Sequence, residues 1–142
     1  MDDGVREMRL VVTAPDYDAA LAFYRDALGL HELGAFGSPD GGRVTILDAG
    51  PATLELTDSR NAAYIDEVEV GRRVAGQIRV AFCVANAALA TERLVAAGAE
   101  LIAGPVETPW RSLNARLSAP AGLQITLFEQ LDPEFDEPLA QP

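Results

Sequence analysis

The sequence is poor in the residues that build most metal and catalytic centres. Cys83 is its only cysteine, so no disulfide can form within the chain and no thiolate cluster can hold an ion. His31 is its only histidine, which excludes a site made of several imidazoles in one chain. Positive charge is also scarce: 11 basic residues face 22 acidic ones, for a net charge of −11. A chain so acidic lacks the basic footprint that nucleic-acid phosphates need, although it tolerates cationic ligands and stays soluble. No apolar run approaches the roughly 20 residues a helix needs to cross a bilayer. The opening MDDGVREM is charged and has no apolar core of a secretory signal, so a cytoplasmic location is expected. Gly-rich phosphate loops, serine-nucleophile elbows and basic–aromatic stripes are missing too.

What the sequence does contain is a repeat. Met8–Ala14 (MRLVVTA) is answered by Ile78–Val84 (IRVAFCV), and each opens a run that reads strand, cap, helix. Arg9 and Arg79 hold the same place in the two copies, as do the helix caps Asp16 and Asn86. The closing strands, Ala52–Thr57 (ATLELT) and Leu123–Phe128 (LQITLF), pair Glu55 with Thr126. A half of this size is small for an independent core, so the two halves are expected to share one core, within one domain that has one cleft. The predicted organisation is one domain over 1–130, with modules at about 8–57 and 78–129 and a linker at about 58–77, followed by an acidic tail over 131–142.

Alternation and caps give each half the order β-α-β-β-β. In the first half a strand at Met8–Ala14 precedes a helix over Ala19–Leu28, whose stripe of Ala20, Phe23, Tyr24 and Ala27 is expected in the core. Strands at His31–Phe36, Arg43–Asp48 and Ala52–Thr57 follow. In the second half Ile78–Val84 precedes a helix over Ala87–Ala97, and then come strands at Glu100–Ala103, Leu113–Ser118 and Leu123–Phe128. Ser59–Gly76 is the least legible stretch. It is expected to hold an extra strand or loop joining the halves, and its Asp66, Glu67, Glu69, Arg72 and Arg73 read as a solvated connection. The strand parity predicts two faces. Leu10, Val12, Leu54, Leu56, Ile78, Val80, Phe82, Ile125 and Leu127 face the helices. Arg9, Val11, Thr13, Thr53, Glu55, Thr57, Arg79, Ala81, Cys83, Gln124, Thr126 and Phe128 face the cleft. The fold class is therefore α+β, with two βαβββ modules forming a pseudo-symmetric curved mixed sheet around a cleft and helices on its outer face.

With that pattern in place, VVTAPDYDAALAFYRDALGL, TLELT and PWRSLNARLSAPAGLQITLFE resemble the opening strand and "FY…LG" helix, the closing strand of the first module, and the final strand pair of the vicinal oxygen chelate superfamily. That group includes glyoxalase I, bleomycin-resistance proteins and extradiol dioxygenases. The resemblance implies that four strand positions, Arg9, Glu55, Arg79 and Thr126 here, stand where metal-dependent members hold an ion, mostly with His and Glu. Only Glu55 matches, and arginine has no lone pair to give. No metal and no cofactor is expected. The family's DPDG turn is APAG here, with Gly122 kept.

Four readings of this cleft follow. Arg9, Glu55 and Arg79 form an internal ion cluster that fills the space. Alternatively Arg9 and Arg79 are an anion hook, with Thr126, Asn114, Gln124, Phe128 and Trp110 as further ligand contacts and Trp110 as a stacking platform. In an enzymatic version Glu55 is the general base of a lyase or isomerase and an arginine stabilises the enolate. A metal-dependent glyoxalase or dioxygenase is the remaining alternative. The reading adopted is a small-molecule binder of the resistance type with a metal-free cleft, homodimeric, with no nucleic-acid or membrane partner. Cys83 is read as a buried thiol and His31 as a surface residue. Arg43, Arg111 and Arg116 are left between solvated edge and cleft entrance.

Overall fold

The computed structural model describes residues 4–132. The acidic tail expected over 131–142 lies outside the described residues from position 133 onward. Eight strands form one sheet in the order β2-β3-β4-β1-β5-β8-β7-β6. They are β1 (Glu7–Thr13), β2 (His31–Gly37), β3 (Arg43–Asp48), β4 (Thr53–Thr57), β5 (Ile78–Cys83), β6 (Glu100–Glu107), β7 (Ser112–Ala119) and β8 (Leu123–Gln130). The modules meet where β1 runs antiparallel to β5, with Val11 opposite Arg79 and Arg9 opposite Ala81. Within each module the first and last strands are parallel, β1 with β4 and β5 with β8. The sheet is therefore mixed and pseudo-symmetric.

The helices are α1 (Tyr17–Leu21), α2 (Ser59–Glu69) and α3 (Ala87–Ala96). Asp16 caps α1 by accepting from the Ala19 N–H at 3.0 Å, and Asn86 caps α3 by accepting from Leu89 at 2.9 Å. The expectation of one core shared by the halves is corrected: the helix-facing parity set separates into two, one per module, because each module has its own covering helix. Tyr17 and Leu21 of α1 pack on Leu47 and Leu56, with Val12 and Leu54 against them. Ala87 of α3 packs with Val84, Ala115, Leu117, Ile125 and Leu127, with Val80 and Phe82 alongside. Ile78 departs from that set: it is 53% exposed on the outer face of a central strand.

Three local expectations are corrected. The first helix is not a regular α-helix to Leu28: after Leu21 it widens into a π-helical stretch, Ala22–Ala27. There the Leu28 N–H reaches back five residues to the Phe23 carbonyl at 2.8 Å. The wider turn breaks the 3.6-residue phase on which the apolar stripe depends. Phe23, expected in the core, is 59% exposed, while Tyr17 and Leu21 take the buried places. The strand opening at Glu100 continues through Gly104-Pro105 to Glu107, with register shifts that absorb the proline. Proline is tolerated there because β6 is an edge strand.

The third correction matters most. The stretch expected to be a solvated connection contains α2, and α2 lies against the cleft. Asp58 caps it by accepting from the Asn61 N–H at 2.8 Å. Ala62, Ile65, Asp66 and Glu69 recur at helical spacing on one face, and all four are buried. Arg116 meets both Asp66 and Glu69 in the interior. Glu67, Arg72 and Arg73 are exposed, as expected.

Candidate functional site

The inner face of the sheet carries the polar parity set. Val11, Ala81, Cys83 and Phe128 form its apolar floor, so Cys83 is a buried thiol as expected. Above the floor is a small cavity, about 20 Å³, lined by Arg9, Glu55, Glu69, Arg79, Trp110, Asn114, Thr126 and neighbours. That is room for a single water molecule. Six of the residues expected to contact a ligand thus converge on one point: Arg9, Arg79, Thr126, Trp110, Asn114 and Phe128. Glu55 stands among them.

The arginines do not form the simple Arg–Glu–Arg triad that one reading anticipated. Arg9 turns toward its own strand. Its Nε donates to Glu7 at 2.7 Å, and its guanidinium stacks 4.8 Å from the Phe128 ring centroid. Its Nη1 stands 4.0 Å from Glu55 Oε1. Arg79 donates from Nη1 to the Thr126 hydroxyl at 2.9 Å, and among the described residues no carboxylate pairs with it. It is 7% exposed. Burial lowers its pKa from the usual arginine value, and repulsion from Arg116 adds to this, against the pull of Glu69, Glu55 and Asp66. Glu55, 3% exposed, accepts no hydrogen bond from the described residues. Burial raises its pKa above the usual carboxyl range, although Arg9 and Arg79 oppose the shift.

Beside this loose group is a tight one that sequence reasoning missed. Arg116, fully buried, donates from Nη1 to Asp66 at 2.8 Å and from Nη2 to Glu69 at 2.6 Å. Asn114 donates to the other Glu69 oxygen at 2.8 Å and accepts from the Ser112 hydroxyl at 2.6 Å. Asp66 Oδ2 also accepts from Arg73 and from the backbone N–H groups of Val74 and Ala75. Burial pushes the Asp66 pKa up, but the Ala75, Arg116, Val74 and Arg73 hydrogen bonds outweigh it and hold the group below the usual carboxylate range. Gln124, expected as a ligand contact, instead accepts from Arg116 at 2.7 Å and donates to the Val74 carbonyl at 3.2 Å. The sequence did carry a signal. Arg116 lies directly opposite Thr126 in the β7–β8 register, on the cleft side of the alternation.

Trp110 sits half-buried in the turn between β6 and β7. The turn is closed by the Thr108 N–H to the Ser112 carbonyl at 2.8 Å, with Arg111 held at φ 62°. The Trp110 ring meets Tyr64 of α2 at a centroid distance of 6.2 Å. His31, Arg43 and Arg111 are on the exposed periphery, with Arg43 stacked over Tyr17 and Arg111 paired with Glu107.

The four positions that would hold an ion carry two guanidiniums, a hydroxyl and one carboxylate. This donor set does not fit a divalent cation. Among the described residues no group of three or more His, Cys, Asp or Glu side chains is placed to hold a metal ion.

Fold and cleft together define the class: a duplicated βαβββ protein with a polar pocket on the inner face of its sheet. The chain belongs to the Glyoxalase/Bleomycin resistance protein/Dioxygenase superfamily, whose family model matches residues 8–127. Solved structures agree on the fold. A hypothetical protein from Bacillus halodurans C-125 is 20% identical, with a TM-score of 0.63, over 91% of this chain and 95% of that one. Methylmalonyl-CoA epimerase from Mycobacterium tuberculosis is 21% identical, with a TM-score of 0.61, over 92% and 89%. A mutant 4-hydroxymandelate synthase from Streptomyces coelicolor is 25% identical, with a TM-score of 0.61, over 92% of this chain but 39% of that longer one. Comparison with curated proteins gave no match.

Proposed function

We propose that the protein binds a small organic anion in the cleft between its modules, through arginine rather than a metal ion, and sequesters or carries it. The observation that supports this most is Arg79: a buried guanidinium on the cavity wall with no carboxylate partner among the described residues. Arginine keeps its proton, so it cannot escape the cost of burial by neutralising. A ligand carboxylate or enolate supplies the missing charge through bidentate hydrogen bonds. Thr126 holds the guanidinium in place, Glu55 offers an acceptor to a ligand hydroxyl, and Trp110 offers a planar face. Sequestration by a homodimer belongs to the same reading. Met8 and Ile78, 40% and 53% exposed on the central strands, offer apolar surface for a second copy, and light scattering tests it.

The binding test is quenching of Trp110 fluorescence by 2-oxo acids and aromatic carboxylates with a chelator present. Micromolar binding is expected, weakened at least tenfold in Arg79→Gln. If no anion binds, the reading fails.

A second reading is enzymatic, and the state of Glu55 favours it. A buried carboxyl with a raised pKa, beside two arginines, suits removal of a proton next to a carbonyl and stabilisation of the enolate. The epimerase and synthase among the structural neighbours support it at the level of fold alone. Proton NMR in D2O with chelator tests it: exchange of the acidic proton is expected with the wild type and lost in Glu55→Gln, which still binds the anion.

A further inference from the structure

With α2 seated the cavity holds about 20 Å³, the space of a single water. Two of its lining residues, Ile65 and Glu69, belong to α2. Lifting α2 is the movement that widens it, and the cost of lifting is set by what α2 leaves behind. Glu69 is the critical contact. Its two oxygens accept from Arg116 at 2.6 Å and from Asn114 at 2.8 Å, all three side chains being buried. When α2 leaves, that carboxylate is replaced by nothing in the sheet. Arg116 and Asn114 are left facing the same space as Arg79. The two arginines flank one residue: Arg79 donates to Thr126, and Arg116 is opposite Thr126 in the strand register.

From this geometry we infer that Glu69 is an internal stand-in for part of the ligand, and that the ligand is a compact dicarboxylic acid. One of its carboxylates takes Arg79; the other takes the place of the Glu69 carboxylate on Arg116 and Asn114. The inference rests on anion binding at Arg79 as proposed above and adds the ligand class and its control. Glu69 competes with the ligand, so only the fraction of molecules with α2 lifted is competent, and apparent affinity falls by that fraction. A monocarboxylate satisfies Arg79 but leaves Arg116 with the neutral Gln124 oxygen alone and Asn114 without the Glu69 acceptor, so it does not hold α2 open. The Tyr64–Trp110 contact is the second point at which α2 is fastened across the mouth.

Calorimetric titration of the full chain with succinate, glutarate, 2-oxoglutarate and their monomethyl esters tests this, in wild type and in Glu69→Gln. The diacids are expected to bind at least tenfold more tightly than their monoesters. Glu69→Gln is expected to tighten the diacids about tenfold and leave the monoesters within twofold. Hydrogen exchange across Ser59–Glu69 should quicken when diacid is added and stay unchanged with monoester. Tyr64→Ala, which leaves the ionic cluster intact, gives the same diacid preference with faster association and serves if Glu69→Gln does not fold. Equal affinity for diacid and monoester in both proteins, or α2 amides that remain protected at saturating diacid, overturns the inference while anion binding stands. If neither diacid nor monoester binds any of the proteins, anion binding itself fails, and this inference with it.

Discussion

The two modules share a backbone plan but present different inner walls. At the places where β3 of the first module buries Val44 and Ile46, β7 of the second buries Asn114 and Arg116. Glu55 on β4 is answered by Thr126 on β8. The outer faces stay alike, each an apolar core under one helix. The duplicated fold thus tolerates a change of chemistry on the cleft side, because that side is not what closes either core. The difference also decides how α2 sits. It contacts β3 as well as β6 and β7, yet of the two modules only the second engages its buried acids, Asp66 and Glu69. An apolar wall holds a helix by area alone, whereas a buried ionic wall fixes its register. Arg116 does not shed its proton in that wall: burial opposes the charge, but Glu69 and Asp66 outweigh it and raise its pKa.

The largest way to break this asymmetry is at Arg116. Arg116→Met leaves Asp66 and Glu69 buried with their main partner gone, and about 3–5 kcal/mol of unfolding free energy should disappear in urea denaturation. The double variant Arg116→Met with Glu69→Leu should recover much of that loss, since an apolar pair replaces the remaining mismatch. Failure of the double variant to recover would mean that packing around Arg116, not charge, sets the cost. In the apolar wall, Ile46→Val should cost about 0.5–1.5 kcal/mol in the same assay.

The cleft carboxylates sharpen the comparison through pH. Asp66 has a folded pKa below its unfolded value, so its stabilising contribution is present above the ordinary carboxyl range and is lost as pH falls through the folded value. Glu55 has the opposite sign. Its folded pKa is raised, so ionisation costs stability, and the cost sets in as pH rises toward neutrality. Unfolding free energies from pH 3 to pH 8 should show Glu55→Gln gaining on the wild type as pH rises. Asp66→Asn should be at its greatest disadvantage near neutral pH and lose that disadvantage in acid. Parallel curves for either variant would contradict the assignment.

The smallest expected effect lies in the turns that precede the last strand of each module. The first module places Gly50 at φ 80°, where glycine is at ease. The second places Ala121 at φ 69° ahead of Gly122 at φ 72°. A left-handed alanine carries about 1 kcal/mol of strain, so Ala121→Gly should raise stability by about 0.5–1 kcal/mol. A loss of stability would show that the alanine methyl group matters more than the backbone angle.

Strand order within each module, the two caps and most helix-facing core residues were legible because period-two alternation and N-cap chemistry are local; their division into two cores instead of one was not. Convergence of Arg9, Glu55, Arg79 and Thr126 was legible from the repeat, since equivalent positions of paired modules meet at the axis between them. The π-helical widening after Leu21 was not legible, because it depends on how the chain closes onto β2. Helix α2 was not read from the sequence, although a signal was there. Asp58 and the spacing of Ala62, Ile65, Asp66 and Glu69 announce a helix, but buried acids on its inner face make sense only once Arg116 is known to lie opposite. Gln124 was placed correctly by parity, and its engagement by Arg116 could not be foreseen.

The sequence by itself determined that this is a duplicated α+β domain and that its inner face carries arginine where a chelating site would need imidazole or carboxylate. Those are properties of residue type and spacing, which a linear chain states directly. Only the tertiary structure decided that Arg9 turns to Glu7, that Arg79 is buried without a carboxylate partner among the described residues, and that Glu69 from the connecting segment is seated on Arg116. Ion pairing across distant segments depends on distances of a few ångströms and on which competing partner arrives first, and neither is written in local pattern.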